Sequence, residues 1–264
     1  MSGRRTPVPR RGALRTAAGA LLAGTSAVGC AQGGASRPQA PAAARNGGST
    51  PGPVRPAGTP RRLPGQPVQI EHGPRGRPRV ALTFHGQGDP AMARTVLAAA
   101  ERAGARLTVL AVGSWLDQNP GMARRILDGG HDLGNHTQSH LDINAMDETR
   151  AYEEITGCAQ RLRRLTGSIG TWFRPSRARY ATPLVQDLAR RAGYPHVLSY
   201  DVDSLDFTSP GVAAVTRKVA GELRNGSVVS LHFGYRDTVA ALPLLLTEID
   251  RRRLRAVTAT ELLT

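Results

Sequence analysis

The sequence predicts an α/β domain built on a parallel sheet, and three observations predict it. From about residue 69 onward, short apolar runs alternate with amphipathic stretches at the spacing of strand–helix–strand units. Several amphipathic stretches open on a capping residue followed by proline: Asp89-Pro90, Asn119-Pro120, Thr182-Pro183 and Ser209-Pro210. The titratable residues of interest follow the apolar runs, at the edge where parallel α/β folds collect functional groups.

Taken in order, the chain begins with an export signal. Arg4, Arg5, Arg10, Arg11 and Arg15 form a basic segment ahead of the apolar stretch Thr16 to Val28. That stretch is shorter than the ~20 residues a membrane span requires. "PRRGALR" loosely resembles a twin-arginine signal. "SAVGC" is similar to a lipobox ending on Cys30, although Ala27 stands where Leu is usual; ordinary cleavage at the same small residues is the alternative. Residues 1–30 therefore read as a signal peptide, and the product as exported: a membrane lipoprotein held through Cys30, or a secreted protein. Residues 31–68, rich in Gly, Ala, Pro, Ser and Arg without apolar periodicity, read as a disordered tether.

The net charge of +15 belongs mostly to this N-terminal quarter. Residues 1–69 hold ten Arg and no acidic residue, which leaves 25 basic against 20 acidic residues in the remainder. With 4% aromatics, the folded part offers no basic, base-stacking face, so nucleic acid is excluded as a partner. The domain is read as 69–264 and as a monomer. Strands are expected at 78–84, 106–112, 131–135, 171–174, 197–202, 227–232 and 254–258. Helices are expected near 90–103, 120–129, 147–166, 183–192, 210–224 and 238–252. Seven strands could close as a barrel or stay open; alternation does not decide. Cys158, in "EEITGCAQRLRRL", reads as a buried helical thiol without a role.

Read along the strand ends, the polar rim comprises His85 and Asp89, His136 and His140, Arg174, then Asp201, Asp203 and Asp206, and last His232. In "NHTQSH", His136 and His140 can reach one ion from a helical turn or tight loop; neutral imidazoles suit Zn2+, with a carboxylate as third ligand. In "SLHFG", His232 follows an apolar strand, either satisfied at a strand end or acting as a general acid tuned by a carboxylate of "DVDSLDF". "WFRPS" puts Arg174 at a strand end before Pro175.

Together these motifs resemble the NodB-homology polysaccharide deacetylases of carbohydrate esterase family 4. The resemblance runs from about residue 77 to the C-terminus. "HDLGNHTQSHLDI" is similar to the family's histidine motif, and "VGSWLDQNP", "FRPS", "DVDSLDF", "SLHF" and the C-terminal "DTVAALPLLLTEIDRRRLRAVTATELL" follow in the family's order. The resemblance implies a distorted (β/α)7 barrel and a hydrolase that removes N-acetyl or O-acetyl groups from an acetylated polysaccharide. It implies a divalent metal, Zn2+ by ligand type, on His136 and His140. His232 would be the acid, Asp206 its tuning carboxylate, and the N–H of Arg177 the oxyanion donor.

The opening motif departs from the family. Members read TFDDGP, whereas this chain reads "TFHGQGDP". His85 stands at the base position and two extra residues precede Asp89. Either the glycine-flanked loop bulges so that Asp89 becomes the third metal ligand and His85 the base, or Asp89 merely caps a helix and His85 binds the ion. The first arrangement is the expectation, because Gly86 and Gly88 allow the backbone conformations a redirecting loop requires. Arg174, which in the family orients the catalytic carboxylate, would here repel a protonated His85. Ser176-Arg177-Ala178 replaces the family's Pro-Tyr-Gly. A catalytically inactive glycan-binding domain on the same fold is the alternative reading. For the signal, Cys30→Ser should move the protein from the membrane fraction to the medium; unchanged membrane retention would count against the lipid anchor.

Overall fold

The computed structural model describes residues 56–264. The chain forms β1 (Gln69–Ile70), β2 (Arg79–Gly86), α1 (Pro90–Arg102) and β3 (Thr108–Ala111), then two helices, α2 (Gly113–Gln118) and α3 (Gly121–Asp128). There follow β4 (Asp132–Asn135), α4 (Glu148–Thr166), α5 (Pro183–Arg191), β5 (Val197–Leu198) and β6 (Val202–Asp203). The last elements are α6 (Val212–Glu222), β7 (Val228–His232), α7 (Arg236–Arg251), β8 (Arg255–Ala256) and α8 (Ala259–Leu263). The sheet runs β4-β3-β2-β7-β6, parallel throughout, and β8 pairs with the start of β2.

The α/β, parallel architecture is the one expected, and its barrel is distorted on one side. The run 171–174 follows β4 through bonds from Thr171 N to Leu133 O and from Arg174 N to Asn135 O. On its other side it pairs only at Phe173, a single bridge to Val197, before Pro175 ends it. The expected strand 197–202 is two short strands: β5 pairs with β1, and β6 pairs with β7. The chain bends between them to turn the corner. On this side the wall is joined by single bridges and that bend, not by a continuous ladder.

Strand periodicity decides what faces the interior. Along β2, Ala81, Thr83 and His85 share one face; along β7, their register partners are Val228, Ser230 and His232. The lower residues, Ala81 and Val228, pack with Ile70, Leu110, Leu198 and Val257 as an apolar plug. The intervening residues, Val80, Leu82, Phe84, Val229 and Leu231, point the other way into the layer shared with the outer helices. One face of two adjacent strands thus changes from apolar to imidazole as it approaches the C-terminal edge.

Two capping expectations need correction. Asp89 and Thr182 do cap α1 and α5, each accepting from a backbone N–H of the first turn. Ser209 does not cap α6: it has φ 52, and the helix begins after Gly211 at φ 91 with no side-chain cap. Asn119 does not cap α3 either; its side chain donates back to Trp115 O at 3.1 Å. The elements without a sequence signal were β1, α2 and α8, each six residues or fewer. No helix among the described residues is long and apolar enough to cross a membrane.

The expected tether boundary also moves. The signal peptide, Cys30 and residues 31–55 lie outside the described residues, but 56–68 pack on the domain. Ala57 is buried, Gly58 O accepts from Ser168 Oγ at 2.8 Å, and Leu63 N donates to His196 Nε2 at 2.9 Å. Val68 O accepts from Val197 N at 2.7 Å. A stretch without apolar periodicity gives no sign of such docking, because isolated side chains and backbone groups make the contacts. Limited proteolysis is therefore expected to leave a resistant fragment starting near residue 56 and not at 66–75 as composition alone suggests; N-terminal sequencing of the fragment decides.

Candidate active site

His85 and His232 end two neighbouring strands in register, so their rings stack with centroids 4.2 Å apart. His136 follows β4, and its N–H is tied to Ala111 O at 2.9 Å. His140 comes from a tight loop and not a helical turn. Asn135, fully buried, accepts from Thr137 N at 2.9 Å and donates to Ile155 O, while Thr137 and His140 take left-handed φ of 67 and 56. Strained residues of this kind at a cavity mark a segment whose shape its surroundings impose.

His85, His136 and His140 each offer one ring nitrogen, and these three atoms lie within 4.8 Å of one another. His136 Nδ1 donates to Arg174 O at 3.0 Å, which leaves the Nε2 lone pair aimed into the cluster. His85 Nδ1 lies 2.7 Å from that lone pair and donates to it. His85 Nε2 then accepts, with Ser230 Oγ at 3.0 Å and Arg174 Nη1 at 3.4 Å. These tautomers follow from the network, since an arginine can only donate.

The cluster is electrically unusual. Burial holds His85 and His136 well below the ordinary histidine range, and neighbouring imidazoles add to the effect. His140 is lowered to about 4, by burial and then by the Arg177 charge. All three are neutral at pH 7, the form that ligates metal. Arg174 is completely buried; its Nε donates to Leu198 O at 2.8 Å, its Nη2 to Ser199 O at 3.0 Å, and its guanidinium lies over the Tyr200 ring. Burial lowers it to about 10, so it remains a cation.

The donor set fits a Zn2+-type ion. Three neutral imidazoles leave a fourth position open, the pattern of a catalytic site. Ligand nitrogens around a tetrahedral ion sit roughly 3.4 Å apart for bonds of about 2.0–2.1 Å. His85 Nδ1 and His136 Nε2 would need to separate by only a fraction of an ångström, with Ser230 Oγ placed to accept the proton that His85 moves to Nε2.

Asp89 does not join the cluster, and the expectation that it would is corrected. Its Oδ1 accepts from Ala91 N at 2.8 Å, capping α1, and the residue is exposed. The loop's glycines serve packing. At Gly88, φ is 94 and an added Cβ would lie 2.6 Å from Gly234 Cα; its carbonyl accepts from Trp115 Nε1 at 2.8 Å. His85 has both ring nitrogens engaged, Nδ1 with His136 and Nε2 with Ser230.

His232 and Asp206 are brought together as expected. Asp206, fully buried, accepts from His232 Nδ1 at 2.7 Å, from His232 N at 2.8 Å and from Thr238 Oγ1. His232 Nε2 remains for the cavity, a space of about 330 Å3 whose wall includes His85, His140, Arg177, Asp203 and Phe207. Asp201 is elsewhere, paired with Arg75 at 2.8 Å. A larger cavity of about 610 Å3 lies between α1, α7 and β8, but no histidine or cysteine lines it, so the chemistry belongs to the smaller one. Two functional side chains escaped the sequence reading. Ser230 was legible in principle, two residues before His232 on the same strand face; Thr238, inside α7, carries no local signal. Cys158 is buried as expected, its thiol pushed up to about 12 by burial.

Comparison with known proteins places this geometry. A family model described as polysaccharide deacetylase matches residues 72–197. The chain is 31% identical over 188 residues to a peptidoglycan-N-acetylglucosamine deacetylase of Bacillus cereus, covering 70% of this chain and 87% of that one. It is 28% identical over 184 residues to the peptidoglycan-N-acetylglucosamine deacetylase PgdA of Listeria monocytogenes, covering 70% of this chain but 38% of that protein. Among solved structures, a CE4 family pseudoenzyme from Bacillus anthracis superposes with a TM-score of 0.71 at 20% identity, over 75% of this chain and 70% of that one. At that identity the likeness is one of fold.

The cluster and the cap make opposite predictions for variants. His85→Gln, His136→Ala and His140→Ala should each purify with strongly reduced metal, measured by elemental analysis. Asp89→Asn should keep metal and stability, whereas Asp89→Ala should keep metal and lose about 1 kcal/mol of stability. Loss of metal in Asp89→Asn with retention in His85→Gln would reverse the assignment.

Proposed function

The chain belongs to the polysaccharide deacetylase family, and we propose that it is an exported, metal-dependent hydrolase that removes acetyl groups from an N-acetylated cell-wall polysaccharide. One observation carries this reading: three histidine nitrogens converge beside a cavity whose neighbouring strand ends in a histidine–aspartate pair. The names of the two bacterial relatives support peptidoglycan N-acetylglucosamine as the substrate type. The basic, apolar N-terminal segment supports export.

His85, His136 and His140 would hold a divalent ion of the Zn2+ type, which would supply Lewis-acid polarisation of the acetyl carbonyl and a more acidic water. The remaining work falls to the chain. With His85 engaged at both nitrogens, His232 Nε2 is the group left to accept the water's proton. Asp206 at Nδ1 orients the ring and stabilises the imidazolium that results. The same Nε2 then returns the proton to the departing sugar nitrogen, so one imidazole serves as base and then acid. Arg177, at φ 55 on the cavity wall, offers its backbone N–H to the carbonyl oxygen as negative charge develops. Burial first, and then the neighbouring histidines and Arg174, hold His85 well below the ordinary histidine range.

A catalytically inactive glycan-binding domain is the second reading, favoured by one observation: among the described residues, the metal-type cluster contains no carboxylate. Acetate release separates the two. The metal-loaded protein is expected to release acetate from N-acetylglucosamine oligosaccharides or peptidoglycan. His232→Ala should keep its metal and lose about 10²–10⁴-fold in rate. No release by the wild-type protein on any acetylated glycan would establish the second reading, and normal rates in His232→Ala would remove that residue from the mechanism.

A further inference from the structure

The pole of the barrel opposite the histidines gathers four arginines around one pocket. Arg77, Arg79, Arg106 and Arg255 line a space of about 380 Å3, together with Val257, Glu261 and Thr264. Strand period puts two of them there. Along β2, Arg79 shares the inward face of Ala81, Thr83 and His85, one step nearer the N-terminal edge than Ala81. Its register partner on β8 is Arg255, which shares a face with Val257 of the apolar plug. Arg106 is drawn in by its backbone N–H, which donates to Ala256 O at 3.2 Å. Arg77 precedes β2, and its carbonyl accepts from Arg79 N at 2.8 Å.

The charges at this pole do not cancel. The carboxylates of the pocket belong to Glu261 and to Thr264, the last residue of the chain. Glu261 is spent: its Oε1 pairs with Arg106 Nη2 at 2.7 Å, and its Oε2 accepts from Thr258 N at 3.1 Å in the cap of α8. Arg79 Nη1 reaches only the main-chain oxygen of Glu261, at 3.1 Å. Arg77, Arg79 and Arg255 form no ion pair among the described residues, and Arg77 and Arg255 are exposed. The larger cavity beside α1 and α7 shares Arg106 and Arg255 and adds Arg102 against Asp250, so it leaves the excess in place. Register partners on adjacent strands stand about 4.8 Å apart, and like charges so placed destabilise a sheet. Arg79 and Arg255 are such a pair, and an oxyanion between them turns the repulsion into attraction. Guanidinium forks converging from three chain segments match the several oxygens of a phosphate.

We propose that this pocket is a binding site for a phosphate group, separate from the histidine cluster and from the deacetylase chemistry. A free phosphate and the headgroup of an anionic lipid present the same oxygens. The edge of the wall that holds the pocket is also the one that residues 56–68 meet. The test reads binding alone. Calorimetry would titrate inorganic pyrophosphate into the full chain, into Arg77→Gln, into a double variant with Arg79→Gln and Arg255→Gln, and into a control with Arg61→Gln and Arg62→Gln. The control removes two exposed arginines that do not line the pocket. Wild type and control are expected to bind alike, and the two pocket variants on the order of tenfold more weakly. Arg77 lies outside the β2–β8 ladder, so its variant decides the matter even where the double variant fails to fold. A second arm floats the same proteins with vesicles of equal parts phosphatidylcholine and phosphatidylglycerol. Vesicle binding reduced only in the pocket variants would assign the phosphate to a lipid headgroup, and equal flotation of all would assign it to a soluble ligand. No pyrophosphate binding by the wild type, undiminished binding in a folded pocket variant, or an equal loss in the control would each overturn the site.

Discussion

The site depends on one residue used twice. The Arg174 carbonyl accepts from His136 Nδ1 and so turns the Nε2 lone pair inward, while its guanidinium faces His85 Nε2 and donates to Leu198 O and Ser199 O. Those carbonyls belong to the bend between β5 and β6, where the wall has no continuous ladder. The same side chain therefore spans the bend in the wall and packs against the His85 ring. Burying a guanidinium without a carboxylate costs several kcal/mol unless its donors are all met. Two carbonyls and an imidazole nitrogen take three of its five N–H donors here, and the guanidinium also lies over the Tyr200 ring.

Much of this was legible in the sequence, for physical reasons that can be named. Alternation along 79–86 and 228–232 is strict, so the facing of His85 and His232 followed from period alone once the strands were recognised. The histidine pair and the His232–Asp206 couple also came together, because each sits just past a well-marked strand. Asp89 was misjudged because two physical roles share one signature: a carboxylate before Pro90 can cap a helix or leave it, and two nearby glycines favoured departure. What the glycines accommodate is a close approach to Gly234, a long-range contact with no trace in the local sequence. Thr238 and the docking of residues 56–68 were hidden for the same reason.

The departure from TFDDGP would change the charge of a metal centre as well as its ligands. Two histidines and an aspartate leave a divalent ion at a net +1, whereas three neutral histidines leave it at +2. A more positive centre acidifies water more strongly and lessens the need for a separate carboxylate base. That compensation is coherent with a cavity in which His85 is occupied at both nitrogens and His232 alone has one free.

The segment 56–68 has a directional consequence. It meets the domain at Ser168, His196 and Val197, residues that precede the 171–174 run or open β5, and therefore at the N-terminal edge of the barrel wall. The histidines stand at the opposite edge. Two bonds to side chains and one backbone bond thus hold this segment at the base of the wall, remote from the ligand nitrogens. The cavity mouth therefore faces away from the side of the domain on which residues 56–68 lie.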